Sequence, residues 1–357
     1  MSGSGAEVPP QEGPSVSIVV PVYNRAGRLL DEALESLLLQ DHPAIEVVAI
    51  DDGSTDRTPD ALAAYAERHP ERLRWANQAN GGQGAALNHG FELATGELIG
   101  YLSSDDVLLP GAISALAAAL ARDPEAVLAY PRYRVIDYVG QTIDSVAPPP
   151  YSWIDSVRLQ DTIVGPGALF RASALREAGP VRSDLRYLPD MELWLRLGKL
   201  GRFIRVDREL ACWRRHSGSL SGGERGREMA EERLRLLDEL ITFHPKELAS
   251  VGDEAYRNAL VLAASVVTAG FNQAGGRYFV VDRHAREVSA RSGRESSEER
   301  MVTARDRMRA QAARIDELER ELGGRGPARG LLPARLRGWA GALRNRAGRG
   351  GRGSRGS

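Results

Sequence analysis

The chain has a single cysteine, Cys212, in 357 residues, few aromatic side chains (6%) and almost no net charge, with 47 Lys and Arg against 48 Asp and Glu. One thiol excludes an internal disulfide framework and gives no sign of an oxidising compartment. Its expected role is that of a small buried hydrophobe on a strand. The charge balance excludes a generally basic nucleic-acid binder. No apolar run approaches the roughly 20 residues that a membrane-spanning helix needs. The longest, 113–121 and 259–270, read as core helices. Residues 1–14 are rich in Gly, Ser and Pro, carry acids and lack an apolar segment, so they read as a disordered N-terminus and not as a signal peptide. A cytoplasmic chain is expected, with any membrane contact peripheral, at the inner face.

What is present is a regular alternation. Ser17–Val22 is a β-branched run of the buried-strand kind, followed by a helix over 27–40 with Leu30, Ala33, Leu34, Leu37 and Leu38 on one face. A second strand, Ile45–Ile50, stops at Asp51-Asp52-Gly53-Ser54. Thr58 and Pro59 read as an N-cap and first-turn proline opening a helix to about His69. A weaker strand near Leu73–Ala76 leads to a glycine-rich turn at 80–84 and a helix to Ala94. The fourth strand, 98–102, ends in Ser103-Ser104-Asp105-Asp106. Such alternation predicts an α/β fold whose mostly parallel twisted sheet is flanked by helices, with ligands at the carboxyl ends of the strands. Asp51, Asp52, Asp105 and Asp106 fall at those ends.

Beyond Asp123, strands are expected at 126–130, 132–136, 203–206 and 209–214, as the second half of one domain over 15–221. A charged helical extension follows over 222–322. Met301, Met308, Ile315 and Leu322 repeat every seven residues, which suggests a short coiled coil, interrupted at Gln311. A charged helix resting on the domain fits that segment equally well. Residues 323–357 form an Arg- and Gly-rich tail expected to be disordered. Within it, 331–346 would suit an anionic membrane surface if helical, and a solvated tail if not. The tail lacks interleaved aromatics, so no specific nucleic acid is expected. A homo-oligomer stays open.

Asp105-Asp106 offers carboxylate oxygens of the kind Mg2+ or Mn2+ prefers, and such a cation keeps waters and phosphates in its shell. Each acidic cluster alone also reads as an ordinary capped turn. In this order they resemble the family-2 glycosyltransferases, inverting enzymes of GT-A fold. The matching stretches are SIVVPVYNRAGRL (17–29), EVVAIDDGSTDRT (46–58), the segment 80–113 around NGGQGAALNHG and SSDD, RYLPDMELWLRL (186–197) and LACWRRHSGSLS (210–221). The resemblance implies a nucleotide-sugar donor, most often a UDP-sugar, a glycan or lipid-linked acceptor, and Mn2+ or Mg2+ as cofactor. It implies that Pro21, Tyr23 and Arg25 flank the nucleotide, that Asp52 bonds a uracil ring, and that Asn80 and Gln83 lie near the donor. It assigns ribose and metal contacts to Asp105, direct metal ligation to Asp106, catalysis to Asp190 as base, and contact with the diphosphate and metal to Arg214 and His216. Cell-surface polysaccharide assembly is the usual setting.

Two departures stand out. Many relatives carry an acid where this chain has Ser103 and another where it has Pro189. The first shifts metal binding onto Asp106, the diphosphate and His216; the second leaves Asp190 without an acidic neighbour, with Glu192 as fallback. They also sustain a rival reading, an inactive membrane-associated scaffold of the same fold. A dinucleotide-dependent oxidoreductase fails, because Leu87 stands where the third fingerprint glycine belongs and the acids precede the glycines.

Overall fold

Strands buried on both faces form the centre of a parallel sheet, and the sequence supplies two such runs before residue 52. The computed structural model describes residues 13–160, 162–216, 226–252, 254, 255, 258 and 259. Its elements run β1 (Val16–Val22), α1 (Arg28–Leu38), β2 (Ile45–Asp51), α2 (Thr58–Arg68), β3 (Leu73–Asn77), α3 (Gly82–Leu93), β4 (Leu98–Tyr101), β5 (Val107–Leu108) and α4 (Ala112–Arg122). They continue with β6 (Ala126–Ile136), β7 (Thr142–Val146), α5 (Trp153–Leu159), β8 (Leu169–Arg171), α6 (Ala172–Ala178), α7 (Pro189–Leu200), β9 (Arg202–Arg214) and α8 (Gly226–Phe243). The residues 1–12, the heptads at 301–322 and the tail at 323–357 lie outside the described residues.

One nine-stranded sheet has the order β3-β2-β1-β4-β8-β6-β9-β5, with β7 beside β6. Alternation along β1 divides its side chains between two cores. Val16, Ile18, Val20 and Val22 join Leu30, Leu34 and Leu37 of α1, while Val19 joins Val48, Ile50, Ala86 and Leu87 on the other face. The first half is parallel, as the alternation predicts: β1 pairs with β2 and β4, and β2 with β3. The second half is mixed. β6–β9 is parallel, whereas β8 runs antiparallel to β4 and β6, β7 to β6 and β5 to β9. Beyond residue 123 the strict strand–helix repeat gives way to turns and loops, and antiparallel neighbours need no crossover helix.

Three local expectations change. The segments 126–130 and 132–136 are one strand, β6, whose register with β9 shifts at Pro131/Arg132, because proline lacks the N–H a ladder uses. Opposite that shift the two expected strands 203–206 and 209–214 join as β9, with Asp207 and Arg208 as the extra residues. Thr58 is not an N-cap: it is the first helical residue of α2, and its hydroxyl accepts the Arg25 N–H at 2.8 Å. Asp56 takes over, accepting the N–H groups of Thr58 (2.9 Å) and Ala26 (3.1 Å). The loop after β1 is thereby stitched to the loop after β2. Cys212 is buried on β9, as expected.

Two interfaces carry the site. The first turn of α3 lies against the loop before α7, where a Cβ on Gly84 would sit 2.9 Å from the Arg182 carbonyl oxygen. One turn on, Asn88 donates to the Val181 carbonyl at 2.8 Å and accepts the Val181 N–H at 2.7 Å. On the other side of α7, Leu236 and Leu237 of α8 pack with Leu188, Met191 and Leu195. Gly84→Ala should therefore cost about 1–3 kcal/mol of stability as the backbones part, read as a lower urea midpoint with unchanged slope. An unchanged midpoint would show that the contact is dispensable.

Candidate active site

The carboxyl ends of β2, β1 and β4 lie side by side, with Asp52 just past the end of β2 and the Asp105-Asp106 pair in the turn after β4, two strands away. Asp52 is buried and satisfied at the first position. One oxygen accepts from Gln78 Nε2 and the Gly81 N–H, the other from the Gly82 N–H, all at 2.8 Å. It thus caps α3 and holds the glycine turn, which Gly82 enters at a φ of 82°. Gln78 is oriented in turn by His89 Nδ1, 3.0 Å from its side-chain oxygen. Asn80 is exposed and Gln83 half-buried on this turn, beside Asp52. Across the cleft Pro21 lies in register with Ile50, and Tyr23 is 48% exposed at the rim.

The acidic pair is built differently. Asp105 Oδ2 meets His216 Nε2 at 2.9 Å and Arg25 Nη2 at 3.3 Å. Asp106 Oδ1 accepts the Arg214 N–H at 2.8 Å. Burial, then the neighbouring Asp105 charge, pushes the Asp106 carboxyl well above its ordinary range. Arg25, His216, Asp105 and Asp106 are thus brought together. Arg214, expected beside the diphosphate, lies behind the acidic pair. It is 1% exposed, and its guanidinium turns back into the fold. It donates to the carbonyls of Asp105 (2.8 Å), Asp137 (3.2 Å) and Tyr138 (3.1 Å) and to the Glu32 carboxylate of α1. Four guanidinium hydrogen bonds thus tie it to the fold.

Asp190 is the second residue of α7, one after Pro189, whose fixed φ suits the first helical position. The Pro189 departure therefore starts the helix. Asp190 Oδ1 accepts the Met191 N–H at 2.7 Å, and Oδ2 accepts the Tyr101 hydroxyl at 3.1 Å. Burial raises the Asp190 carboxyl above its ordinary value against the pull of these two donors. Burial, then the charge of Asp190 and more weakly that of Asp106, holds the Tyr101 phenol well above its usual value, so it keeps its proton and donates. Tyr101 at the end of β4 is thus bonded to Asp190 and within electrostatic reach of Asp106. Glu192, the fallback, grips Arg196 through two bonds of 2.8 Å and is spoken for. Trp194 is core, as expected, and stacks on Tyr101 with centroids 6.1 Å apart.

Tyr101, Gln78, His89 and Glu32 escaped the sequence reading. Only the strand phase of Tyr101, four residues before Asp105, hinted at a role. Among the described residues no three His, Cys, Asp or Glu side chains converge tightly enough to hold a metal ion alone. The site still fits a cation that shares its shell with phosphate and water, for which one or two carboxylates suffice. Asp105 and Asp106 are adjacent and acidic, and Arg25 Nε is buried without a hydrogen-bond partner beside them, suited to a phosphate oxygen. Arg214→Met should lower unfolding free energy by about 3–5 kcal/mol by stranding buried carbonyls and Glu32. Arg214→Lys should recover little of it, having no fork. A loss under 1 kcal/mol in urea titration would refute the structural role.

Residues 17–177 match the family model described as Glycosyl transferase family 2. An uncharacterised glycosyltransferase of Nostoc is 36% identical over 132 residues, 37% of this chain and 40% of that protein. The chondroitin synthase of Escherichia coli is 31% identical over 205 residues, 57% of this chain and 29% of its own. The chain spans less than two thirds of the length of these relatives. Among solved structures, S. aureus TarS 1-349 in complex with UDP-GlcNAc superposes with a TM-score of 0.56 at 21% identity, over 70% of this chain and 73% of that one. The mannosyltransferase PcManGT from Pyrobaculum calidifontis, in complex with GDP-Man and Mn2+, gives 0.53 at 20% identity, over 79% and 82%. At such identities the likeness speaks for the fold. With the family match over 17–177, the GT-A architecture and the strand-end acids in order, this part of the chain is similar to glycosyl transferase family 2.

Proposed function

We propose that the chain transfers a sugar from a UDP-sugar to a hydroxyl of a glycan or lipid-linked acceptor, with inversion, in cell-surface polysaccharide synthesis. The observation that carries this reading is the Tyr101 hydroxyl, bonded to Asp190 at 3.1 Å and within electrostatic reach of Asp106. A base and a diphosphate-side acid on one cleft are what a single displacement at the anomeric carbon requires. Binding of UDP-GlcNAc by TarS and GDP-Man by PcManGT agrees with a nucleotide-sugar donor.

In this reading Pro21, Tyr23 and Arg25 border the nucleotide, Asp52 faces the base while fixing the turn of Asn80 and Gln83, and Asp105 reaches the ribose. Asp106 would hold Mn2+ or Mg2+ with His216 nearby, and that cation, when bound, neutralises charge on the leaving diphosphate. Asp190 takes the proton of the acceptor hydroxyl as that oxygen bonds to the anomeric carbon and the carbon–oxygen bond to the diphosphate breaks. Arg25, with its buried Nε and its Nη2 on Asp105, faces the diphosphate, and Arg214 supports the acidic turn from behind it. No helix among the described residues is long and apolar enough to cross a membrane. Contact with a lipid-linked acceptor would be peripheral, through the basic tail.

A panel of nucleotide sugars with added Mn2+ tests the donor class by thermal shift. A UDP-sugar at 100 times its Kd should stabilise the chain by about 2.7 kcal/mol, and Asp106→Asn should abolish the Mn2+-dependent part. No stabilisation by any nucleotide sugar would end the proposal. Asp190→Asn should abolish transfer and leave donor binding intact; near-normal turnover defeats the base assignment.

Turnover should rise with pH through an acid limb above the ordinary carboxylate range, because the base must be ionised and burial raises its pKa. Tyr101→Phe should move that limb further up, since the lost O–H donor stabilised the anion. A limb that stays put or falls would contradict the Tyr101–Asp190 bond.

A further inference from the structure

The matched family segment ends at residue 177, yet the helix bearing Asp190 is braced from beyond it, by α8. Three successive N–H groups just before α7, those of Arg186, Tyr187 and Leu188, precede the first helical residue and need partners from elsewhere. Together they form a concave donor array suited to an anion. One carboxylate fills it. Glu232 Oε2 accepts from Arg186 at 2.6 Å, and Oε1 from Tyr187 at 2.7 Å and Leu188 at 2.8 Å. Asp190 lies two residues past the last of these donors.

The rest of α8 repeats the attachment. Glu228 receives the Tyr187 hydroxyl, and Glu239 pairs with Arg182 in the loop that Gly84 and Asn88 clamp from the other side. Arg235 reaches Asp184 at 3.2 Å. Leu236 and Leu237 bury against Leu188, Met191 and Leu195. Next to Glu232, Arg233 bonds the Gln160 carbonyl and lies 3.9 Å from Met191 Sδ, where its charge favours the ionised form of Asp190. The charged and titratable groups that act on Asp190 are therefore Tyr101 from β4 and Arg233 from α8.

We propose that α8 belongs to the catalytic machinery and that Glu232 is a positioning residue, which sets the start of α7 and so the placement of Asp190 in the cleft. This rests on the reading of Asp190 as base. A carboxylate that fixes three consecutive amides leaves the first turn of α7 little freedom, and a displacement of about 1 Å at a base can cost on the order of 100-fold in rate. The donor pocket, built from the ends of β1, β2 and β4, shares no residue with this brace.

The test uses the full chain, Mn2+ and whichever UDP-sugar of the panel stabilises it most, with UDP release to water as the readout. Glu232→Ala should lower kcat by about 10- to 100-fold while donor KM and the donor-induced thermal shift stay within about twofold. Glu232→Gln keeps one acceptor oxygen and should fall between the two. A kcat within twofold of the parent, or a parallel loss of kcat and donor binding, overturns the proposal. If Glu232→Ala does not fold, Glu232→Gln decides alone, and an unchanged kcat overturns it. Should Asp190→Asn be inactive and Glu232→Ala normal, only the role of α8 fails. If Asp190→Asn is active, the base assignment fails whatever Glu232 does.

Discussion

A guanidinium buried behind two carboxylates holds the working end of this fold together. Arg214 sits almost wholly out of water, and a lone charge there would cost several kcal/mol. The chain compensates by surrounding it with the Asp105, Asp137 and Tyr138 carbonyls and the Glu32 carboxylate, while its own N–H engages Asp106. Those partners come from three parts of the molecule, α1, the turn after β4 and the β6–β7 turn, and Arg214 itself ends β9. The acidic turn is therefore tied to α1, to the β6–β7 turn and to the end of β9, and its geometry is set by the fold.

The same logic, with backbone in place of charge, governs the opposite wall. Asp52 spends its carboxylate on Gln78 and on the first N–H groups of α3. That fixes where α3 begins, and the missing side chain of Gly84 lets the helix touch the loop at 182–183. From there the chain runs directly into α7. Asp52 and Asp190 are thus joined through one helix and one short loop. Tyr101, stacked on Trp194 of α7 and bonded to Asp190, closes the circuit at the strand end.

Much of this was legible in the residues. The β-branched runs and the helix stripe of α1 located the parallel half of the sheet, because burial on two faces leaves no other pattern. The order of the acids and of the glycine turn marked the cleft. Direction was harder. Arg214 was read toward the diphosphate on its motif alone, yet it shares a face of β9 with buried Cys212, and that alternation pointed it inward. Strands interrupted at 131 and at 207–208 looked like pairs of short strands, since a bulge and a break give the same gap in the pattern. The tie between Tyr101 and Asp190 spans 89 residues, and no local spacing encodes it. Glu232 was hidden for the opposite reason: a glutamate on a charged helix looks solvated, and only the three amides it meets show otherwise.

Site and stability pull against each other here. Asp106 and Asp190 both have carboxyls raised above their ordinary range by burial. Between the ordinary and the raised values the folded chain binds more protons than the unfolded one, so stability falls as pH rises through that window. Above it the fold carries the full cost of two buried anions. In the proposed reaction that cost would be the counterpart of their use, since a buried carboxylate is a stronger base and draws a cation more strongly than a solvated one. Pairing Asp190 with a neutral phenol and not with an arginine keeps it basic; engaging Asp106 by a backbone N–H leaves its other oxygen for a ligand. Two cations temper that cost at the acidic pair: Arg214 supports the turn from behind and Arg25 pairs with Asp105, and the charge of each favours the Asp106 anion.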